Sequence, residues 1–317
     1  MNKKRRTRAF LGALLGCLTV AGLVGPAVST PASAAQAPLW IGAAGNKPDS
    51  SIGSFVKANQ IIGPLRYRRC FDKELPASFK DSCAKDDRSL GFRSFVSWHP
   101  PGFDHAGAAR GAYDGQIRDW AKSVPTGIGL YATVWHEPET PGGPPGTTLT
   151  GQQYVAMYQH VYTVVKAANP SITFGPVYTA YWWHEGTNHY APGGPNAWWV
   201  GGRYADFVAV DTYAAQPKAL KYDAAFQGWL KFVNGKAPNK PLVVSEYGRY
   251  VVKNGTVPDP ALQAVRARII PVDENYLRSM RFTMWLYWHG TGEKGNWSLT
   301  DPASQAAWRT VASHGRR

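Results

Sequence analysis

Short apolar segments rich in β-branched and aromatic residues recur along this 317-residue chain, at intervals of about 25 to 40 residues. Eight of them are predicted to be β-strands: 39–43, 61–68, 92–98, 128–135, 172–178, 207–212, 242–245 and 282–288. Between most of these strands, apolar residues follow helical spacing, as in 109–123, 151–168, 222–233, 261–279 and 302–312. Pro271 is expected to kink or split the helix at 261–279.

This alternation of strands and helices is typical of parallel βαβ units. Eight such units predict a single-domain α/β fold, a (β/α)8 TIM barrel, over residues 36–317. A doubly wound open sheet is the alternative, and it is less favoured because no Gly-rich phosphate loop follows the first strand. The long loops after strands four, five and eight are rich in Pro, Gly and Trp, and such loops build the substrate cleft of a barrel enzyme.

The first 35 residues have the pattern of a secretory signal peptide. Basic residues in 1–8 precede an apolar stretch at 9–28, and small residues then predict cleavage after Ala34 or Ala35. An uncleaved membrane anchor and a lipoprotein attached at Cys17 are the alternatives. No later segment is long and apolar enough to cross a bilayer, so we expect a secreted protein without stable membrane association.

The chain is strongly basic, with a formal net charge of +14. Its lysines and arginines are scattered, and they form neither a stripe nor a nucleic-acid recognition motif. We therefore expect no nucleic-acid partner, and we favour affinity for an anionic cell wall or matrix.

Two cysteines, Cys70 and Cys83, remain once the signal segment is removed. In an oxidising compartment an isolated pair of this kind is most simply a disulfide. A metal site is not expected, because two thiols without a nearby histidine pair supply too few ligands.

Two of the predicted strands end in a glutamate followed closely by a turn-forming residue. These glutamates are Glu137, in the segment Tyr-Ala-Thr-Val-Trp-His-Glu-Pro, and Glu246, in the segment Pro-Leu-Val-Val-Ser-Glu-Tyr-Gly. A buried parallel strand with this pattern delivers a carboxylate to the rim of its sheet. A retaining glycosidase needs two such groups about 5–5.5 Å apart, one to attack the sugar and one to protonate the leaving group. We interpret Glu137 and Glu246 as that catalytic pair.

Other carboxylates compete with this pair. Asp211 and Tyr213 are two residues apart on the sixth predicted strand, so their side chains lie on the same face, which we expect to be the barrel interior. Asp211 is expected to be a hydrogen-bond partner within the site. Glu139 is expected to be a loop group. The remaining competitors are Asp72, Asp104 and Glu185.

Three strand ends resemble the glycoside hydrolase superfamily of eight-fold barrels with glutamates on strands four and seven. They are His-Glu at 136–137, Asp-Thr-Tyr at 211–213 and Ser-Glu-Tyr-Gly at 245–248. Within that superfamily, Trp-His-Glu at 135–137 and the strand at 205–213 resemble glycoside hydrolase family 26, the β-mannanase-like family. The chain departs from it after Glu137, where proline replaces the longer His-Glu-Met-type motif, and most sister families have Asn where this chain has His136.

The resemblance implies that Glu137 is the acid/base and Glu246 the nucleophile, with Tyr213 donating a hydrogen bond to Glu246. It also implies sugar-binding residues: His136 would contact the sugar or position the nucleophile, His99 would bind the same sugar, and Trp288 would be the platform beneath it. Each has a structural alternative: His136 could cap its strand, Tyr213 could be a packed rim residue, and Trp285 faces inward if Trp288 does not.

Tryptophan pairs at 182–183 and 198–199 lie in loops near the predicted mouth. Their flat rings can stack on pyranose rings or anchor the loops, and Trp182 is taken as a substrate-binding candidate.

The sequence therefore predicts a retaining glycoside hydrolase acting on a β-linked polysaccharide, with β-mannan first and β-glucan, xylan or galactan as alternatives. A barrel that binds glycans without cleaving them is the competing hypothesis. No cofactor is implied, because a carboxylate pair needs none. His184, Glu185 and His189 lack zinc-protease spacing, and the sequence contains no Gly-x-Ser-x-Gly elbow.

Overall fold

The computed structural model describes residues 38–45, 51–140, 149–183, 193–252, 257–292 and 295–315. The predicted signal segment lies outside these ranges, as do Cys17, His184, Glu185 and His189. The described residues belong to one compact unit. Within them, no helix combines the length and the apolar character needed to cross a membrane.

The strands are β1 (Trp40–Gly45), β2 (Tyr67–Phe71), β3 (Arg93–Trp98), β4 (Tyr131–Val134), β5 (Thr173–Phe174), β6 (Val177–Thr179), β7 (Val208–Ala214), β8 (Leu242–Arg249), β9 (Phe282–His289), β10 (Thr291–Gly292) and β11 (Gly295–Asn296). The helices are α1 (Ile52–Ile62), α2 (His105–Ala109), α3 (Asp114–Ser123), α4 (Gly151–Ala168), α5 (Pro195–Trp198), α6 (Ala224–Lys236), α7 (Pro260–Arg278) and α8 (Pro302–His314).

The main sheet is parallel and curls into a barrel, in the order β5-β4-β3-β2-β1-β9-β8-β7-β6. Strands β5 and β6 are two parts of one barrel strand, since only Gly175 and Pro176 separate them. Pro176 has no N–H to give to the ladder. Before this interruption β5 pairs with β4, and after it β6 pairs with β7. The curled sheet with its helices confirms the α/β barrel predicted from the sequence.

The structure has two apolar layers, one inside the barrel and one between the barrel and its helices. Inside it, buried residues close the half of the barrel that faces the amino ends of the strands; they are Trp40, Tyr67, Phe95, Val177, Phe207, Ala209, Val243, Met284 and Leu286. A larger layer lies between the strands and the helices and includes Trp98, Trp120, Trp229, Trp285 and Trp308. Because inward residues alternate along a strand, the polar groups next along these strands, such as Arg69 and Asp211, face the carboxyl half of the interior.

The predicted strands have the right order, and the one at 61–68 begins too early. Ile61 belongs to α1, an unpredicted helix whose N-cap Ser51 accepts a hydrogen bond from the Ser54 N–H. The helix ends at Ile62 with Gly63 as its C-cap, and Pro64 follows; β2 begins only at Tyr67.

Two predicted helices also differ from those observed. The helix predicted at 109–123 is two helices, separated near Gly111, whose φ of +86° breaks the helical path. Of the kink or split predicted at Pro271, the split is absent, because α7 runs as one helix from Pro260 to Arg278. A proline removes one backbone hydrogen bond, and the burial of Ile270 and Leu277 on either side holds the helix together.

The predicted disulfide is present between Cys70 in β2 and Cys83, with their Cα atoms 6.1 Å apart. It ties the connection between β2 and β3 to the barrel wall. The Asp72 carboxylate accepts hydrogen bonds from the Cys83 N–H and the Ser82 hydroxyl, each at 2.8 Å. Beside it, Arg68 and Asp87 form a buried ion pair at 2.7 Å.

Candidate active site

Glu137 lies three residues beyond β4, in a turn with unusual backbone geometry. Trp135 has a φ of +55° and Glu137 a φ of +51°, both in the left-handed region. Residues other than glycine adopt this conformation at a cost, and such strain clusters at active sites. The turn is held by backbone hydrogen bonds of 2.9 Å from Trp135 N–H to the Trp98 carbonyl and from Glu137 N–H to the Val177 carbonyl.

Glu246 reaches the barrel interior because β8 contains a β-bulge. Val210 pairs with Val244, but the next residue, Asp211, pairs with Glu246. Simple alternation from the inward Val243 would turn Glu246 outward. The extra residue, Ser245, places two consecutive side chains on the inner face, and its hydroxyl donates a hydrogen bond to Asp211.

Three carboxyl groups meet at the carboxyl end of the barrel. One oxygen from each of Glu137, Asp211 and Glu246 lies within 4.8 Å of the other two. Their exposure is graded: Glu137 is half-buried, Glu246 is 5% exposed and Asp211 is 0% exposed. The predicted catalytic pair and the predicted interior aspartate therefore share one site.

Glu246 is surrounded by groups that favour its ionised form. The Tyr213 hydroxyl donates a hydrogen bond to Glu246 Oε2, and Arg69 Nε lies 3.8 Å from Glu246 Oε1. Burial lowers the pKa of Arg69, while Asp211 and Glu246 oppose that change. Arginine remains protonated in proteins, so Arg69 supplies a buried positive charge behind the nucleophile candidate.

Arg69 is itself fixed in place, although sequence analysis did not single it out. Its Nη1 donates to the Ser97 hydroxyl at 2.6 Å, and its guanidinium lies 4.6 Å and 4.3 Å from the ring centroids of Phe71 and Phe95. Arg69 lies two residues after Tyr67 on β2 and therefore points to the same inner face, and this spacing was the signal that could have identified it.

Asp211 is the most deeply buried of the three carboxyl groups. Burial raises its pKa well above the usual range, and the charges of Glu246 and Glu137 raise it further against the opposing Arg69. Asp211 therefore holds its proton more tightly than an exposed aspartate. The three oxygens are close enough to ligate one cation, but Arg69 already provides a positive charge at this position.

Trp288 faces the interior, as predicted, and its ring centroid lies 6.0 Å from that of Phe71 and 6.4 Å from that of Tyr213. Trp285, the alternative, faces outward and packs edge-on against Trp308 at 4.6 Å.

Trp297 is a site residue that sequence analysis missed. It follows the β10–β11 hairpin, is 7% exposed, and its ring centroid lies 5.0 Å from those of Tyr213 and Tyr250. A Cβ on Gly248 would lie 2.7 Å from Tyr213 Cδ1 and 2.9 Å from Trp297 Cε3. The absence of a side chain at Gly248 thus lets both rings pack on β8. The only sequence signal was membership of a long loop.

The two candidate histidines lie together, and His136 is the one beside Phe71. The His136 ring is 5.2 Å from that of Phe71 and 5.9 Å from that of His99. His99 Nδ1 lies 3.1 Å from the Lys73 carbonyl oxygen. A carbonyl can only accept, so the proton is on Nδ1 and the Nε2 atom of neutral His99 is an acceptor.

The tryptophans of the loop after β6 divide into two groups. Trp183 and Trp198 are buried and anchor their loops. Trp182 is half-buried at the carboxyl end of β6 and meets the exposed ring of Tyr181 edge-on at 5.0 Å. The ring of Trp199 packs near Tyr178 and Phe232.

Glu139 is not the ordinary loop group that was expected. It is 1% exposed, and its Oε1 accepts hydrogen bonds from the Thr179 N–H at 2.7 Å and from Trp183 Nε1 at 2.8 Å. Burial raises the pKa of Glu139 to about 8, although these hydrogen bonds oppose the rise. A charged residue in a Pro-rich loop is normally exposed, so the sequence did not indicate that Glu139 is buried.

No protein-family model matches the chain, and no curated protein sequence matches it. Solved structures do match. A glucosidase from Croceicoccus marinus is 14% identical with a TM-score of 0.57, and the alignment covers 88% of this chain and 67% of that one. A modular endo-β-1,4-mannanase from Cellulomonas fimi, described with the family 26 mannanases, is 14% identical with a TM-score of 0.56, covering 87% and 70%.

A GH128 endo-β-1,3-glucanase from Amycolatopsis mediterranei, in complex with laminaripentaose, is also 14% identical, with a TM-score of 0.51 and coverage of 86% and 99%. At such identities the similarity establishes a fold shared with several glycoside hydrolases. It does not single out family 26.

Proposed function

We propose that this protein is a retaining glycoside hydrolase that cleaves a β-linked polysaccharide. The observation that carries the proposal is the approach of a Glu137 oxygen to a Glu246 oxygen within 4.8 Å. Retaining enzymes hold their carboxyl groups about 5–5.5 Å apart, whereas inverting enzymes leave about 6.5–9.5 Å for a water molecule. An oxygen–oxygen approach within 4.8 Å supports the shorter separation, that of a retaining pair.

The surroundings of the two glutamates support one assignment of the two roles. Glu246 has a hydrogen-bond donor in Tyr213 and a positive neighbour in Arg69, and both stabilise a carboxylate that must attack as an anion. Glu137 is half-buried at the rim, where a departing sugar can reach it. Glu246 is therefore the nucleophile and Glu137 the acid/base.

In the first step, the Glu246 carboxylate forms a bond to the anomeric carbon while the bond from that carbon to the glycosidic oxygen breaks. The electron pair leaves with the oxygen, which takes the proton of Glu137. In the second step, the Glu137 carboxylate takes a proton from water, and the water oxygen displaces Glu246 from the anomeric carbon. Glu137 ends protonated and Glu246 ionised, so the net change is the addition of water across one bond.

The remaining site residues orient the sugar. Trp288, with Phe71 beside it, offers an apolar surface beneath the reacting ring. His136, beside Phe71, and the neighbouring His99 offer hydrogen bonds to sugar hydroxyls. Trp182, half-buried just after β6, is a further candidate for stacking on a sugar ring.

β-Mannan is the first substrate candidate. The Trp-His-Glu motif and the motif of strand six support it, together with the fold similarity to the Cellulomonas fimi mannanase. The similar structure of a β-1,3-glucanase makes β-glucan the second candidate.

We also propose that the protein acts outside the cell after removal of residues 1–35. The disulfide supports this, because such bonds persist in oxidising compartments. Intact mass measurement of the protein recovered from culture medium tests it: a mature chain beginning at residue 35 or 36 is expected, and a lipid-modified Cys17 would contradict it.

The function is tested by release of reducing sugars from mannan, β-1,3-glucan, β-1,4-glucan and xylan. Wild type should degrade at least one polymer, and Glu246→Ala and Glu137→Ala should each lose at least about 10³-fold in kcat. Asp119→Asn, on the exposed face of α3, is the matched control. Proton NMR of the first product should show retained anomeric configuration.

An inverted product would refute the retaining mechanism. Polysaccharide binding without any cleavage by the folded wild type would instead favour the non-catalytic glycan-binding hypothesis.

A further inference from the structure

The turn that carries Glu137 needs support from its surroundings. Trp135 and Glu137 both have left-handed backbone conformations, and such residues keep them only when neighbouring contacts enforce them. Trp135 is held by its N–H bond to Trp98. The segment after Trp135, which carries the Glu137 side chain, needs contacts of its own.

In that segment, the chain remains in register with β6 although β4 has ended. Glu137 N–H donates to the Val177 carbonyl at 2.9 Å. Two residues further on, Glu139 Oε1 accepts from the Thr179 N–H at 2.7 Å. In a continued parallel ladder the Thr179 N–H would donate to the Glu137 carbonyl. That carbonyl instead accepts from the Thr140 N–H at 3.1 Å, and the carboxyl oxygen of Glu139 takes its place opposite Thr179.

The partners of Glu139 are themselves rigid. The Trp183 ring, whose Nε1 donates the second hydrogen bond at 2.8 Å, packs 4.9 Å from the ring of Tyr178 and 4.8 Å from that of Phe232. Thr179 pairs with Asp211 in β7. Glu139 therefore connects the Glu137 turn to the strand that neighbours the carboxyl cluster.

We propose that Glu139 is a positioning residue for the acid/base Glu137: its buried carboxyl group fixes the strained turn so that Glu137 is directed at the glycosidic oxygen. This inference rests on the proposed function, because it concerns the protonation of the leaving group.

The test compares leaving groups of different acidity on aryl β-glycosides of the sugar that the polysaccharide panel identifies. A 2,4-dinitrophenolate leaves without protonation, whereas an unactivated phenol needs the proton of Glu137. Glu139→Ala should slow release of the poor leaving group by about 10- to 100-fold and change release of the good one by less than about threefold. Glu137→Ala is the reference for this pattern and should show it more strongly.

Conservative variants separate positioning from general damage. Glu139→Gln keeps an oxygen that can accept both hydrogen bonds, so it should restore the wild-type dependence on the leaving group. Trp183→Phe removes one donor and should lie between wild type and Glu139→Ala. Trp308→Phe, a buried change outside the barrel, is the matched control and should not alter the dependence.

An equal loss on good and poor leaving groups, or no loss, in the folded Glu139→Ala protein would overturn the inference. Hydrogen exchange of residues 131–140 provides a readout independent of activity. The Glu137 amide should exchange faster in Glu139→Ala and at the wild-type rate in Glu139→Gln. If wild type cleaves no substrate, the proposed function fails, while unchanged exchange in Glu139→Ala would refute the positioning contact itself.

Discussion

Glu137, Asp211 and Glu246 occupy one small volume, yet each has different surroundings. Glu246 has both a tyrosine donor and an arginine charge, whereas burial drives Asp211 toward its protonated form. Two neighbouring carboxyl groups cannot ionise independently, so a protonated Asp211 lets Glu246 carry the negative charge. The three side chains are chemically almost identical, so the differences in their protonation come from their surroundings.

Tyr213→Phe should lower kcat by about 10- to 100-fold, since the attacking carboxylate loses a charge-assisted hydrogen bond. Steady-state kinetics on the best polysaccharide measures this. Tyr276→Phe is the matched control, because the Tyr276 hydroxyl bonds to Gln227 on the helical layer. Equal kcat values for Tyr213→Phe and wild type would contradict the assigned role of the Tyr213 hydroxyl.

Among the structural elements, β8 shows where sequence reasoning reaches its limit. The apolar run before Glu246 correctly predicts a buried strand, but its alternation alone would direct Glu246 outward. The bulge at Ser245 corrects this, and a bulge arises from pairing with neighbouring strands, which no local pattern records. The same holds for Glu139, whose burial depends on Thr179 and Trp183, about 40 positions away in sequence.

Gly248→Ala should impair catalysis through its two aromatic neighbours. The new Cβ would meet the rings of Tyr213 and Trp297, so at least one ring must move and the bond from Tyr213 to Glu246 is disturbed. We expect kcat to fall by about tenfold or more. Gly53→Ala, in helix α1 with space around it, is the control and should leave kcat unchanged while stabilising the helix slightly.

The Cys70–Cys83 bond should contribute about 3 kcal/mol to the free energy of unfolding, because it restrains the unfolded chain over a sequence separation of 13 residues. Urea unfolding of the Cys70→Ser, Cys83→Ser double variant against oxidised wild type measures this contribution. Reduced wild type should unfold like the variant. Coincident unfolding curves for the oxidised wild type and the variant would contradict the prediction.

Across the whole molecule, the barrel wall separates two populations of aromatic residues. Trp288 faces the site, while Trp285, three positions earlier, packs against Trp308 in the helical layer. Strand order, the two glutamates and the disulfide could be predicted because they depend on local pattern and on composition. The helix α1, the Trp297 contact and the Arg69 charge could not be placed so readily, because their roles depend on tertiary packing.

Glu139 should make global stability depend on pH. Its pKa is about 8 in the folded protein, above the ordinary value of 4.5, so the folded state retains a proton that the unfolded chain releases. The associated stability is complete below pH 4.5 and is lost as the pH rises toward 8. Glu139→Gln is neutral throughout, so its free energy of unfolding relative to wild type should increase between pH 5 and pH 8.

Urea unfolding of both proteins at the two pH values measures this difference, and ionisations common to both proteins cancel. A difference that is the same at pH 5 and pH 8 would refute the shifted ionisation of Glu139.

The apolar residues that fill the amino half of the barrel limit the path by which a polymer could reach and leave the site. Among the residues that the structure describes, Phe95, Phe207 and Leu286 pack across the interior and close the axis of the barrel at its amino half. A long glycan, the proposed substrate, would therefore bind on the face at the carboxyl ends of the strands. Its cleavage products would leave from that same face.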